Sequence, residues 1–180
     1  QPNERVLKKE IARLDAHAQA FIAKSPFVLI ASSDRDGKLD VSPKGDPAGF
    51  VRVLDDQTLV IPDRLGNRRA DTLKNILHNP RVGLLFLVPG KQETLRANGR
   101  AIIVRDTLLR ESLAVNGKPP ELAIVVMVEQ VFMHCAKCMI RSKLWEPLAW
   151  PDQSGLASLA QAIVEQGQLR ESVDEVHALI

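Results

Sequence analysis

The chain has 180 residues, 45% of them hydrophobic, and a formal net charge of +2 from 24 basic and 22 acidic side chains, enough for one well-filled domain and short for two. The charges are interspersed and the aromatics are five Phe, two Trp and no Tyr, which argues against a basic nucleic-acid face or a single-strand stacking surface. No apolar run reaches the roughly 18 to 20 residues of a membrane helix, the charged N-terminal stretch does not read as a signal peptide, and two cysteines are too few for a disulfide scaffold; the expectation is a cytoplasmic protein with no nucleic-acid or membrane partner.

Leu7, Ile11, Leu14, Ala18, Phe21 and Ile22 recur at helical spacing, predicting an amphipathic helix over about 4–24, stopped by Ser25-Pro26. An apolar strand over 27–33 follows. Asp34-Arg35-Asp36-Gly37 makes a hairpin turn, and 38–42 returns. Two prolines and a glycine within 43–47 predict an irregular loop. A second hairpin covers 50–54 and 58–61. A short helix is expected over 67–78, with Ala70, Leu73, Ile76 and Leu77 inward. Residues 81–88 form a strongly apolar strand. The alternation of Leu95, Ala97, Gly99, Ala101 and Ile103 predicts a long strand with one face inward. Asp106 caps a helix to about 115, and 116–120 is a loop. A long strand covers 122–133, a helix 135–144, and short helices 153–166 and 171–180. Hairpins predominate and regular strand–helix–strand alternation is absent. The fold class is therefore mainly β with peripheral helices (α+β), an antiparallel barrel rather than a doubly wound sheet. Residues 1–150 form the barrel domain with its N-terminal helix, and 151–180 a helical extension of the same domain.

Four groups of residues could carry chemistry. Arg64, Asn67, Arg68 and Arg69 follow a strand and open the predicted 67–78 helix. Guanidinium forks and free N–H groups at a helix mouth suit a phosphate; a solvated basic turn is the alternative. The stretch from Asp40 to Asp46, with Ser42, Lys44 and Gly45, could lie along a planar heterocycle or be an ordinary connection. Thr94 and Arg96 share one face of a strand, either as ligand contacts or as part of a solvated face. Cys135 and Cys138 have the spacing of a redox pair or half a zinc site, but no second ligand pair accompanies them, and incidental cysteines are the favoured reading. Lys137, Arg141 and Trp145 lie at helical spacing just beyond.

Taken in order, these segments resemble the pyridoxamine 5′-phosphate oxidase-like, FMN-binding split-barrel family, closest to its bacterial flavoprotein branch. The likeness covers about 27–150. It rests on the stretches Val41 to Asp46, Ile61 to Arg69, Asn79 to Phe86, Glu93 to Arg100, and His134 to Lys137 with Arg141 to Trp145. The resemblance implies a six-stranded antiparallel split β-barrel working as a homodimer, with FMN at the subunit interface. It implies that Arg64, Asn67, Arg68 and Arg69 hold the FMN phosphate and that Ser42, Lys44 and Gly45 run beside the flavin ring. Pro62 and Asp63 would approach the ring through backbone, Thr94 and Arg96 from the strand below. Lys137, Arg141 and Trp145 would come from the other subunit. Asn67-Arg68-Arg69 stands where the oxidase proper has an Arg-Lys pair after a serine. No counterpart of that oxidase's C-terminal substrate-binding segment follows Trp150, so pyridoxamine phosphate is not an implied substrate. The implied activity is FMN-dependent oxidation–reduction of a small molecule or of a nicotinamide donor. The alternatives are a non-catalytic flavin carrier or sensor, or the same fold with a deazaflavin or haem.

Overall fold

The computed structural model describes residue 4 and residues 8–180. Seven antiparallel strands form one sheet in the order β2-β1-β5-β6-β7-β4-β3. They are β1 (Phe27–Ser33), β2 (Leu39–Gly45), β3 (Arg52–Asp55), β4 (Thr58–Pro62), β5 (Arg81–Leu87), β6 (Thr94–Val104) and β7 (Ala123–His134). The sheet curls into a split barrel, with no pairing between its end strands β2 and β3. The resemblance implies six strands and the structure has seven, among them the short β3, which is the first arm of the second hairpin expected over 50–54 and 58–61.

One face of the sheet is the core. Val28, Ile30, Leu59, Leu84, Phe86 and Leu95 are at most 1% exposed, and Leu14, Phe21 and Ile22 of the N-terminal segment pack into the same cluster. Helix α1 (Ala16–Lys24) is capped by Asp15, whose Oδ1 accepts from the Ala18 N–H at 2.8 Å. The predicted helix over 4–24 is thus shorter. Ile11 instead pairs with Val131 as an isolated bridge, each N–H donating to the other's carbonyl at 3.0 and 2.7 Å. The barrel offers that backbone a better partner than its own next turn. Leu7 lies outside the described residues.

The expected irregular loop at 43–47 is also corrected. Pro43, Lys44 and Gly45 belong to β2, where Pro43 faces Leu29. β2 is an edge strand, so the missing proline N–H removes no ladder bond.

The helix expected over 67–78 begins four residues later, as α2 (Asp71–His78). Arg68 and Ala70 have φ of 59° and 57°, and the Asn67 side-chain oxygen accepts the Arg69 N–H at 3.1 Å. That local bond holds the chain in a turn where a helix could have started. Consequently Ala70 and Leu77 are exposed, while Ile76 is buried. Three polar contacts fix α2 on the sheet. Thr72 Oγ1 donates to Asp40 Oδ2 at 3.0 Å, Asn75 Nδ2 to Ser32 Oγ at 3.0 Å, and Asn79 Nδ2 to Ser33 Oγ at 2.7 Å.

Helix α3 (Thr107–Ser112), capped by Asp106, is shorter than the expected run to 115. Leu109 and the adjoining Leu113 cover Val60 and Ala123 on the opposite face of the sheet. The register shifts between Asn98 and Gly99, where a Cβ on Gly99 would collide with the Met127 carbonyl. Helix α4 (Lys137–Ser142) is shorter than the expected 135–144, and Trp145 Nε1 donates to the Lys91 carbonyl at 2.8 Å.

The chain divides into two compact units, Gln1–Trp145 and Glu146–Ile180. Within the second, a 3₁₀ turn (Pro147–Ala149) precedes α5 (Leu159–Gly167) and α6 (Val173–His177). Both helices are shorter than expected. Ser158 and Ser172 cap them, the latter in a reciprocal capping box with Glu175. Among the described residues, no helix is long and apolar enough to cross a membrane.

Candidate functional site

β4 ends at Pro62, and the Asp63 N–H still pairs with the Leu122 carbonyl at 3.0 Å. The chain then leaves the sheet through residues 64–70 and returns as α2. Between that loop, β2 and the N-terminal end of α2 lies an open cleft of about 650 Å³. Ser42, Lys44, Asp63, Arg64, Asn67, Arg68 and Arg69 all line it, so the structure brings two of the sequence-predicted groups together. The inward alternation of β2 places Ser42 and Lys44 on the wall facing the loop. Gly45 pairs with Phe27, and Pro62 is buried opposite Ala123; both flank the cleft without lining it.

The cations of the cleft are not equivalent. Arg64 donates from Nε to Asp46 Oδ2 at 2.6 Å and from Nη2 to the Leu113 carbonyl at 2.9 Å. The side chains of this pair are only 28% and 13% exposed, so Arg64 staples the exit of β2 to the end of α3. Arg69 donates from Nε to Asp71 Oδ2 at 2.7 Å. That bond holds the Asp71 carboxyl below its usual range. Lys44 stands 3.9 Å from Asp63. Burial nevertheless pushes the Asp63 carboxyl up, Lys44 opposing and Glu121 adding to the shift. At that separation the ion pair is too long to outweigh desolvation. Arg68 alone among these cations makes no hydrogen bond or ion pair with the described residues.

The helix mouth completes the cleft. α2 has no side-chain cap, and its first backbone bond runs from the Lys74 N–H to the Ala70 carbonyl. The N–H groups of residues 71–73 therefore carry the positive end of the helix dipole, and Ala70 to Leu73 line the cleft. The donors belong to 71–73 and not to the 67–69 stretch that the early helix start would use. The expectation of a helix mouth beside the arginines holds with this displacement.

Thr94, Arg96, Lys137, Arg141 and Trp145 lie away from this cleft. Arg96 is on the sheet face opposite the core, in the row Pro43, Leu29, Leu85, Arg96, Phe132. Three strand spacings separate Arg96 from Pro43, roughly 14 Å. Its guanidinium lies 5.2 Å from the Phe132 ring centroid, and its buried Nε lacks a partner among the described residues. Lys9 approaches the same ring at 4.7 Å. Burial first, then the charges of Arg96 and Lys9, lower the pKa of the adjacent His134. Thr94, opposite His134, is 4% exposed. Lys137 and Arg141 follow on exposed α4.

Sequence reasoning misses Asp71, Thr72 and Glu121 as residues lining the cleft. Asp71 carries a signal two residues from Arg69; Glu121 comes from the distant approach to β7 and carries none.

The open antiparallel sheet with its flanking cleft has the architecture of a split barrel. The sequence profile described as "Pyridoxamine 5'-phosphate oxidase" matches residues 14–135, and the chain belongs to that family. No curated protein matches the chain. Among solved structures, HupZ from Group A Streptococcus is 19% identical with a TM-score of 0.53, covering 66% of this chain and 92% of that one. General Stress Protein 26 from Bacillus anthracis is 16% identical with a TM-score of 0.50, covering 64% and 88%. An FMN-binding protein from Syntrophomonas wolfei is 14% identical with a TM-score of 0.51, covering 72% and 86%. At these identities the likeness is one of fold.

Proposed function

We propose that the chain is an FMN-binding flavoprotein and an FMN-dependent oxidoreductase acting in the cytoplasm on a small molecule or a nicotinamide donor. The observation that carries this reading is the uncapped mouth of α2 beside the unpartnered Arg68 in one cleft. These groups fit a phosphate monoester. Three N–H donors converge at a positive dipole end, and one guanidinium fork is available without breaking an existing pair. Arg69 would join by exchanging Asp71 for the phosphate. Arg64 would keep the loop in place through Asp46, acting as a positioning residue. Ser42 and Lys44 on the facing wall would meet the ring, and Lys44 would favour negative charge developing there. FMN, when bound, supplies the electron-carrying chemistry, and the protein supplies binding, orientation and charge.

A homodimer with the cofactor at its interface belongs to the same proposal. Leu39 and Val41 of the edge strand are 77% and 59% exposed, an apolar edge that asks for cover. Lys137, Arg141 and Trp145 do not line the cleft of their own protomer; in this proposal they would reach the cofactor from the partner subunit.

The test is extraction of the small molecule that copurifies and its absorption spectrum, followed by anaerobic stopped-flow mixing with NADH and NADPH. Bound FMN reduced by either donor supports the enzyme. FMN that neither donor reduces supports the carrier or sensor instead. A deazaflavin or haem spectrum overturns the cofactor assignment.

A further inference from the structure

We propose that Cys135 and Cys138 form a reversible dithiol–disulfide pair that exchanges with low-molecular-weight disulfides. Both cysteines are free and exposed, whereas a cysteine with only a packing role is usually buried. The distance between their Cα atoms is set by the backbone of Ala136 and Lys137. Ala136 has φ −69° and ψ −9°, and Lys137 is the first residue of α4. One helical turn of this kind separates the Cα atoms by about 5 Å, inside the range a disulfide spans. Zinc is the competing reading of the spacing, but among the described residues no group of three His, Cys, Asp or Glu could hold a metal ion.

The two thiols have different surroundings. The Lys137 backbone N–H chiefly holds the Cys135 thiol below its ordinary value; burial opposes it, and the charges of Lys137 and Lys9 add smaller support. Cys135 also stands ahead of the Ala136 cap, whereas Cys138 lies inside α4; in this proposal Cys135 is therefore taken as the attacking thiolate and Cys138 as the resolving one. The Cys135 thiolate displaces one thiolate from the small disulfide and forms a mixed disulfide. Cys138, losing its proton, then attacks the Cys135 sulfur and expels the second thiolate. The protein gains one S–S bond and loses two hydrogens; the small disulfide is reduced to two thiols.

The experiment uses the full chain in glutathione redox buffers, acid-quenched, alkylated and weighed as intact protein. Trypsin cuts after Lys137, so in the oxidised form the peptides carrying Cys135 and Cys138 stay joined until reduced. The wild type is expected to show two main species, doubly alkylated dithiol and an unalkylated internal disulfide. Cys138→Ser should stop at one glutathione on Cys135. Cys135→Ser should be modified about tenfold more slowly than Cys138→Ser. The proposal is overturned if the wild type stays dithiol in excess oxidised glutathione, gathers glutathione at both positions, or links chain to chain. Equal rates in the two variants overturn the assignment of Cys135 as attacker. None of these readouts depends on a bound flavin, so failure here leaves the cofactor reading intact.

Discussion

The loop between β4 and α2 and the ladder of β5, β6 and β7 hold their functional side chains by opposite means. In the ladder, position is imposed by neighbours. Arg96 is placed by its register against Leu85 and Phe132, with the ring and the Gln130 amide around its guanidinium. In the loop, position is imposed by the charges themselves, through Arg64 on Asp46 and Arg69 on Asp71. A ladder residue keeps its place whether or not a ligand is present. A loop cation paired to a carboxylate can instead trade that carboxylate for an incoming anion. The difference predicts that substitutions in the ladder are read in stability and substitutions in the loop in ligand affinity.

The largest effect is expected in the ladder. Gly99→Ala drives a methyl group into the Met127 carbonyl, where backbone must move. A loss on the order of 3 kcal/mol is expected, measured by urea unfolding. Arg64→Ala is the exception inside the loop, since it strips Asp46 and the Leu113 carbonyl of a partly buried partner. It should cost about 2 kcal/mol in the same assay, whereas an effect confined to affinity would erase the distinction between Arg64 and its neighbours. Asp71→Asn sharpens the comparison by freeing Arg69. FMN affinity should rise by about threefold, seen by fluorescence titration, with a small drop in thermal stability from the lost helix-mouth carboxylate.

Asp63 gives the smallest effect and a pH signature. Its carboxyl titrates above the ordinary value in the folded chain, chiefly through burial. The folded state thus holds this proton more tightly than the unfolded state. The contribution is stabilising below the ordinary carboxylate range and fades as pH rises through the raised value. Asp63→Asn should flatten that part of the stability-versus-pH curve. An unchanged curve would show that Asp63 does not carry it.

Much of the ladder is legible in the sequence because its signals are local. The apolar run over 81–88 states its strand, the alternation over 95–103 states both a strand and its buried face, and Asp106 marks its helix. What is not legible depends on partners far along the chain. Residues 8–14 have helical spacing, yet Ile11 pairs with Val131. Pro43 reads as a breaker until β2 is seen to be an edge strand. Asn67 looks like a helix start until its side chain bonds the Arg69 N–H. The same limit governs the site. The arginines can be read as a phosphate cluster, but Asp46, eighteen positions from Arg64, has already claimed one of them. Arg68 emerges as the available fork only when the pairings are known.

The most direct measurement compares FMN with riboflavin, which lacks the phosphate, on wild type and on Arg68→Ala. Wild type should prefer FMN strongly. Arg68→Ala should lose on the order of tenfold to a hundredfold in FMN affinity while riboflavin affinity and the melting temperature stay nearly unchanged. Equal wild-type affinity for the two flavins, or a preference for FMN that survives in Arg68→Ala, would contradict a phosphate held at the mouth of α2.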